Sequence, residues 1–188
     1  RLFWYFCLMI DLMQMNRELI YDILRLALME DAAADAASAP SDVSALASAS
    51  AQEWEQVFST LSMHGLAAFA YAAVERMPEG VRPPKEVLLK FISANMACQK
   101  GYVRLKGLAE KIGRVVKECG VKCLLLKGLS LAEYYPRPDS RKFLDIDLYA
   151  PGAESRVDEA FAAKGVGVDT DFYRHSHMTL GGVLVENH

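Results

Sequence analysis

The sequence has no long hydrophobic run of the kind that crosses a membrane. The apolar stretch at residues 2–10 is broken by Asp11, far short of the roughly 20 residues a span needs. A cleavable leader is disfavoured too, because Arg17, Glu18, Asp22 and Arg25 separate that stretch from the small residues at 32–39. Cysteine is scarce. The four (Cys7, Cys98, Cys119 and Cys123) form no C-x-x-C, and the Cys119/Cys123 spacing lacks the second pair that a structural zinc site needs. Reduced thiols and a cytoplasmic location follow as expectations. There is no internal repeat and no strong charge imbalance, the formal net charge being −3.

Hydrophobic residues make up 52% of the 188, which suits a folded chain with a real core. Charge is unevenly spread: residues 85–127 hold ten Lys or Arg against Glu86, Glu110 and Glu118. Such a basic segment can attract nucleic acid. Without interleaved exposed aromatics or a readable binding motif, a solvated face or a nucleotide-steering field explains it better.

Apolar spacing predicts an amphipathic helix over 16–30 (Leu19, Ile20, Ile23, Leu24, Leu26, Ala27). An Ala/Ser/Asp-rich mobile connection around Pro40 follows. A helix from 53 to 76 carries Trp54, Val57, Phe58 and Leu61, with a break at Gly65 and His64 as a capping or core residue. Pro78, Gly80, Pro83 and Pro84 end it. One long helix, or two joined ones, is expected over 85–119, with Leu105, Leu108, Ile112, Val115 and Cys119 as the core stripe and Gly120 as the stop. Then come a buried strand at 121–126, a short helix at 130–135, a loop, a strand at 143–149 and a helix at 154–164. Two strands at 173–180 and 183–187 flank the hairpin signal Gly181-Gly182.

The fold class expected is α+β (or α/β): an N-terminal helical region, then a small mixed sheet with flanking helices. Three segments are expected: 1–50 as N-terminal helix and connection, 51–120 as a helical region, and 121–188 as the catalytic core. Met15-Asn16-Arg17 resembles a natural start, so residues 1–14 are open to reading as an upstream extension.

The chemistry concentrates at residues 124–150. Asp145 and Asp147 lie two apart on a strand and so share a face. Two adjacent carboxylates repel, and a divalent cation between them relieves this; hard oxygen ligands point to Mg²⁺ or Mn²⁺. Solvated acids on an exposed strand would not explain why Leu144, Ile146 and Leu148 alternate with them as a core face. Upstream, Gly128 permits close backbone approach to a ligand, and Ser130 could open a short helix whose N–H groups favour phosphate. Lys127 and Arg141 could hold triphosphate oxygens or pair with the aspartates. His175 and His177 share a strand face, with no third soft ligand placed beside them by sequence.

The run Leu125-Leu126-Lys127-Gly128, Ser130, Tyr134-Tyr135-Pro136, Arg141 and Asp145-Ile146-Asp147-Leu148 resembles the nucleotidyltransferase superfamily, most closely the bacterial uncharacterised nucleotidyltransferases. The resemblance extends upstream through Trp54-Glu55 and His64-Gly65-Leu66 to cover most of residues 50–188. One departure is that Leu129 splits the superfamily's adjacent Gly-Ser. The resemblance implies a third carboxylate, Glu186 in Val-Glu-Asn-His, with His188 beside it. It implies a Mg²⁺- or Mn²⁺-dependent enzyme in which Asp145, Asp147 and Glu186 ligate metal and Gly128, Ser130, Lys127 and Arg141 bind the NTP. The nucleoside monophosphate passes to an unknown acceptor, with no membrane involvement. A catalytically weak nucleotide- or partner-binding module on the same fold is the alternative. Family members continue into a further helical region, so the core is expected to be cut short at residue 188.

Overall fold

The structure, a computed structural model, describes residues 17–29, 44–171 and 173–188. The apolar run at 2–10, Cys7 and most of the Ala/Ser-rich connection lie outside them. The chain divides into two compact units between Ala97 and Cys98, and each is described by itself.

The first unit is helical. Helix α1 (Arg17–Leu28) buries Leu19, Ile23 and Ala27, the one-sided stripe its spacing predicts. A short α2 (Ser44–Ser48) precedes α3 (Ala51–Met63). The start of α3 is set by a capping box: the Ser50 hydroxyl accepts from the Glu53 N–H at 3.2 Å while the Glu53 carboxylate accepts from the Ser50 N–H at 2.7 Å. Gly65, at φ 71, breaks the helical run as expected, and His64 is the exposed C-cap of α3. Helix α4 (Ala67–Arg76) is almost wholly buried on its Ala-rich face. Trp54, Val57, Leu61, Phe69, Val74 and Phe91 form the centre of this unit, with Phe58 edge-on to Phe91 at 5.0 Å.

Helix α5 (Lys85–Glu118) runs through the unit boundary. In the second unit its buried positions are Leu105, Ala109, Ile112 and Val116. The predicted stripe was one position off along part of its length: Leu108 and Val115 are partly buried flanks of that core. Alanine at 109 carries little hydrophobic signal, yet it is one of the buried positions of that core.

Among the described residues the sheet has five strands, β1 (Leu124–Leu126), β2 (Asp145–Tyr149), β3 (Val168–Asp169), β4 (Ser176–Leu180) and β5 (Val183–Asn187), in the order β1-β2-β5-β4-β3. Only β2 and β5 pair in parallel; the other pairings are antiparallel. The fold is α+β, as predicted. Between β1 and β2 lie a short helix α6 (Gly128–Ala132) and a 3₁₀ turn (Pro138–Ser140). Helix α7 (Glu154–Ala162) follows β2. Gly181 and Gly182 both have positive φ (56 and 75), as a tight hairpin demands, and the Arg104 guanidinium donates to the Gly181 carbonyl.

Three expectations need correction. The first strand is an edge strand of three residues with Leu124 61% exposed, not a buried six-residue strand. It is short because residues 121–123 only bring the chain from the end of α5 to the sheet. Leu144 is 74% exposed; β2 begins after it, so only Ile146 and Leu148 supply the core face. The two-residue β3 is too short to announce itself by periodicity.

One face of the sheet is apolar. Ile146, Leu148, Met178, Val183 and Val185 pack with the α5 stripe and with Val157 and Phe161 of α7. Cys98, Cys119 and Cys123 are free thiols, and burial followed by the nearby Asp139 charge pushes the Cys98 thiol up. Among the described residues no helix is long and apolar enough to cross a membrane.

Candidate active site

Register places the polar residues in a row across the opposite face. Reading across the strands, Leu126 pairs with Asp147, Asp147 with Glu186, Glu186 with His177, and His177 with Asp169. Directly paired residues project to the same side of a sheet, as do residues two apart on one strand. Asp145, His188 and His175 therefore lie on this face as well, each two residues along from a member of the row.

Asp147 is the centre of the arrangement. It is 3% exposed, and a carboxylate so far from water needs compensating charge. Lys127 supplies it, its Nζ donating to Asp147 Oδ1 at 2.8 Å. That hydrogen bond and the Asp147 charge push the lysine up from its ordinary value against the opposing effect of desolvation, and Glu186 and Asp145 add smaller contributions in the same direction. One ammonium thus senses all three carboxylates. His188 Nε2 lies 3.5 Å from Asp147 Oδ1 and 3.3 Å from Glu186 Oε2, and His177 Nε2 lies 3.5 Å from Glu186 Oε1.

The backbone at Lys127 is unusual. Its φ of 47 and ψ of −124 are those of the first central position of a type II′ turn, where glycine dominates. A side chain held there costs conformational energy, and such outliers gather where the surrounding structure needs the residue. The turn throws the chain from β1 into α6 and aims the lysine back over β2.

The other predicted residues fall into distinct surroundings. Asp145 is half-buried, about 6–7 Å along the strand from Asp147 by strand geometry, and it is not part of the tight cluster of Asp147, Glu186 and His188, whose ligand atoms lie within 4.8 Å of one another. Gly128 is closely packed: a Cβ would sit 3.3 Å from Phe143 Cδ2, tighter than ordinary contact, and 3.6 Å from the Asp145 carbonyl oxygen. Ser130 lies within α6, not at its start, and its hydroxyl donates to the Lys127 carbonyl at 2.8 Å. The Arg141 guanidinium lies 5.8 Å from the Tyr135 ring centre and 6.0 Å from that of Phe143.

Behind the row, on the core side, is a polar network that sequence reasoning missed. Asp158 of α7 accepts from the Ser176 hydroxyl at 2.6 Å and from Asn187 Nδ2 at 2.8 Å, and Asn187 Nδ2 also donates to the Glu154 carbonyl at 3.0 Å. Ser176 stands between His175 and His177 in sequence, and Asn187 between Glu186 and His188. The network therefore pins from behind the two strand segments that carry the front-face groups. Its signal was present in the alternation: a polar residue at an inward position of each strand.

Among known proteins, the family model described as uncharacterised nucleotidyltransferase matches residues 50–188. No curated protein and no solved structure matches.

Proposed function

Since this chain belongs to the uncharacterised nucleotidyltransferase family, we propose that it is a divalent-cation-dependent enzyme that moves a nucleoside monophosphate from an NTP to an acceptor hydroxyl or phosphate. The observation that carries the reading is the convergence of Asp147, Glu186 and the Lys127 ammonium at one point of the sheet face.

The residues fit a hard divalent ion. Two carboxylates and an imidazole offer ligand atoms within 4.8 Å of one another, and a cation, the lysine ammonium, already sits against one of those oxygens. Asp147 and Glu186 would hold the ion, with Asp145 completing the set from the same face. When bound, it would neutralise the phosphate charge and acidify the attacking hydroxyl.

The chain's own groups do the rest. Lys127, its side chain 63% exposed at the far end of a fixed backbone turn, keeps Asp147 compensated in the resting protein and reaches a phosphate oxygen when the carboxylate is otherwise engaged. Glu186, bracketed by His177 and His188, takes the proton of the acceptor. Gly128 and Ser130 set the turn beside the phosphates, and Arg141, resting on Tyr135 and Phe143, meets them as a second cation. Transfer is then positioning and charge stabilisation, with no covalent nucleophile.

The test is incubation with α-labelled NTPs and Mg²⁺ or Mn²⁺ while pyrophosphate release is followed. Metal-dependent release that disappears in Asp147→Asn supports the assignment. Nucleotide binding by calorimetry with no release under any metal would leave a nucleotide-binding module in its place.

A further inference from the structure

We propose that His175, His177 and Glu186 form a second metal site, one that takes a borderline transition-metal ion such as Zn²⁺ and shares Glu186 with the carboxylate site. The claim goes beyond nucleotidyl transfer and stands without it.

The geometry begins in the register. His177 of β4 is the direct partner of Glu186 of β5, and His175 lies two residues earlier on the same face. Its ring centre is 4.7 Å from that of His177. One ligand atom from each of the three residues falls within a 4.8 Å span. Ligands bound at about 2.0 to 2.2 Å to one tetrahedral ion sit closer together than this, so closure needs only small side-chain rotations. His175 precedes the first residue of β4, so the strand ladder leaves it room to adjust.

The donor set then selects the ion. Two imidazole nitrogens and one carboxylate oxygen form a His₂Glu set, which leaves a fourth position for water or substrate. Mg²⁺ and Ca²⁺ prefer oxygen, whereas imidazole suits zinc and its neighbours. Glu186 is placed to serve both sites: Oε1 faces His177 at 3.5 Å, and Oε2 faces His188 at 3.3 Å on the Asp147 side. The His177 and Glu186 side chains are only 22% and 20% exposed, and partial desolvation strengthens their attraction for a cation. His188 packs on His175 with ring centres 4.8 Å apart. Three imidazoles are thus gathered around one carboxylate on the face that does not build the core, so apolar packing does not account for them.

The experiment uses the 188-residue chain stripped with a chelator and titrated with Zn²⁺ against a chromophoric competitor, then with Co²⁺ to read coordination from visible absorption. One Zn²⁺ per chain is expected at this site. His175→Ala and His177→Ala should each weaken it by roughly 10- to 100-fold or more, since even supporting residues of metal sites have effects of that size. Asp147→Asn should leave it within a few-fold. Unchanged Zn²⁺ affinity in both histidine variants overturns the proposal, as does loss confined to Asp147→Asn and His188→Ala, which would put the ion in the carboxylate site. A thiolate-to-cobalt charge-transfer band would place it on cysteine and overturn the proposal equally. Should either alanine variant lose its metal-free circular dichroism, imidazole nitrogen shifts in the wild-type chain decide: Zn²⁺ must move those of His175 and His177, and silence there refutes the site.

Discussion

Replacement of Asp158 by alanine tests how the front-face groups are held. In the folded chain this half-buried carboxylate accepts two hydrogen bonds, from Ser176 and from Asn187. Bonds to a charged acceptor contribute roughly 1.5 to 3 kcal/mol each, and a buried donor left without an acceptor costs about 1 to 3 kcal/mol. The two donors differ in what remains to them. Asn187 keeps the Glu154 carbonyl, whereas the Ser176 hydroxyl, buried at 6% exposure, has no second acceptor in that network. The loss should therefore be about 2 to 4 kcal/mol, less than the sum of two full bonds. Adding Ser176→Ala removes the stranded hydroxyl and should return about 1 kcal/mol, so the double variant is more stable than Asp158→Ala alone. Urea unfolding followed by circular dichroism measures both. Because Asn187 sits between Glu186 and His188, pyrophosphate release should also fall, by up to roughly 10²-fold if β5 shifts by an ångström. An Asp158→Ala protein within about 1 kcal/mol of wild type, or a double variant less stable than the single, refutes the reasoning.

Asp147→Asn and Glu186→Gln preserve shape and remove charge, so transfer should fall by roughly 10²- to 10³-fold in a pyrophosphate assay while the far-ultraviolet spectrum stays that of the wild type. Lys127→Gly should melt higher than Lys127→Ala, since both lack the ammonium and only glycine tolerates the positive φ of 47 without strain; equal melting temperatures would mean the turn is relaxed in solution. The lysine is held above its ordinary value of 10.5 in the folded chain, chiefly by Asp147. A raised value means its contribution to stability is fully present below the unfolded lysine value and is lost as pH rises through the folded one. The stability difference between wild type and Lys127→Met should accordingly hold steady across neutral pH and shrink only in strongly alkaline solution, as alkaline unfolding curves of the two proteins would show.

The order of elements was legible because helix and strand periods differ and glycine and proline punctuate them. Gly65 and the Gly181-Gly182 pair stand where positive φ is needed, and the Pro78 to Pro84 cluster ends α4. Packing was harder to read. A stripe through Leu108 and Val115 fits a helix as well as one through Ala109 and Val116, and only contact with the sheet decides between them. A unit boundary inside a continuous α5 leaves no mark in composition, which punctuates helix ends such as Gly120 and not the limits of a packed unit. Of the candidate site, the Asp-x-Asp spacing and the resemblance brought Asp147 and Glu186 to attention. The place of His177 beside Glu186 depends on which residues pair across two strands, a quantity no single segment contains. Leu144 misled because alternation persists past the point where pairing starts. Lys127 gave no sign of its backbone, since a lysine in the left-handed region is a choice of the turn and not of the residue.

The alternation along β2 and β5 ties two selections into one. Ile146, Leu148, Val183 and Val185 face the core from the same short segments that present Asp147 and Glu186 outward. Inserting or deleting one residue within β5 ahead of Val185 would shift its register by one, sending Glu186 toward the core and Val185 into solvent. No drift of the acidic row independent of the apolar one is available to such a sheet. Point substitutions can silence the carboxylates one at a time, but length changes within β5 are tolerated in pairs or not at all. A library built on this scaffold would do well to vary side chains along β2 and β5 and keep the count of residues in each strand fixed.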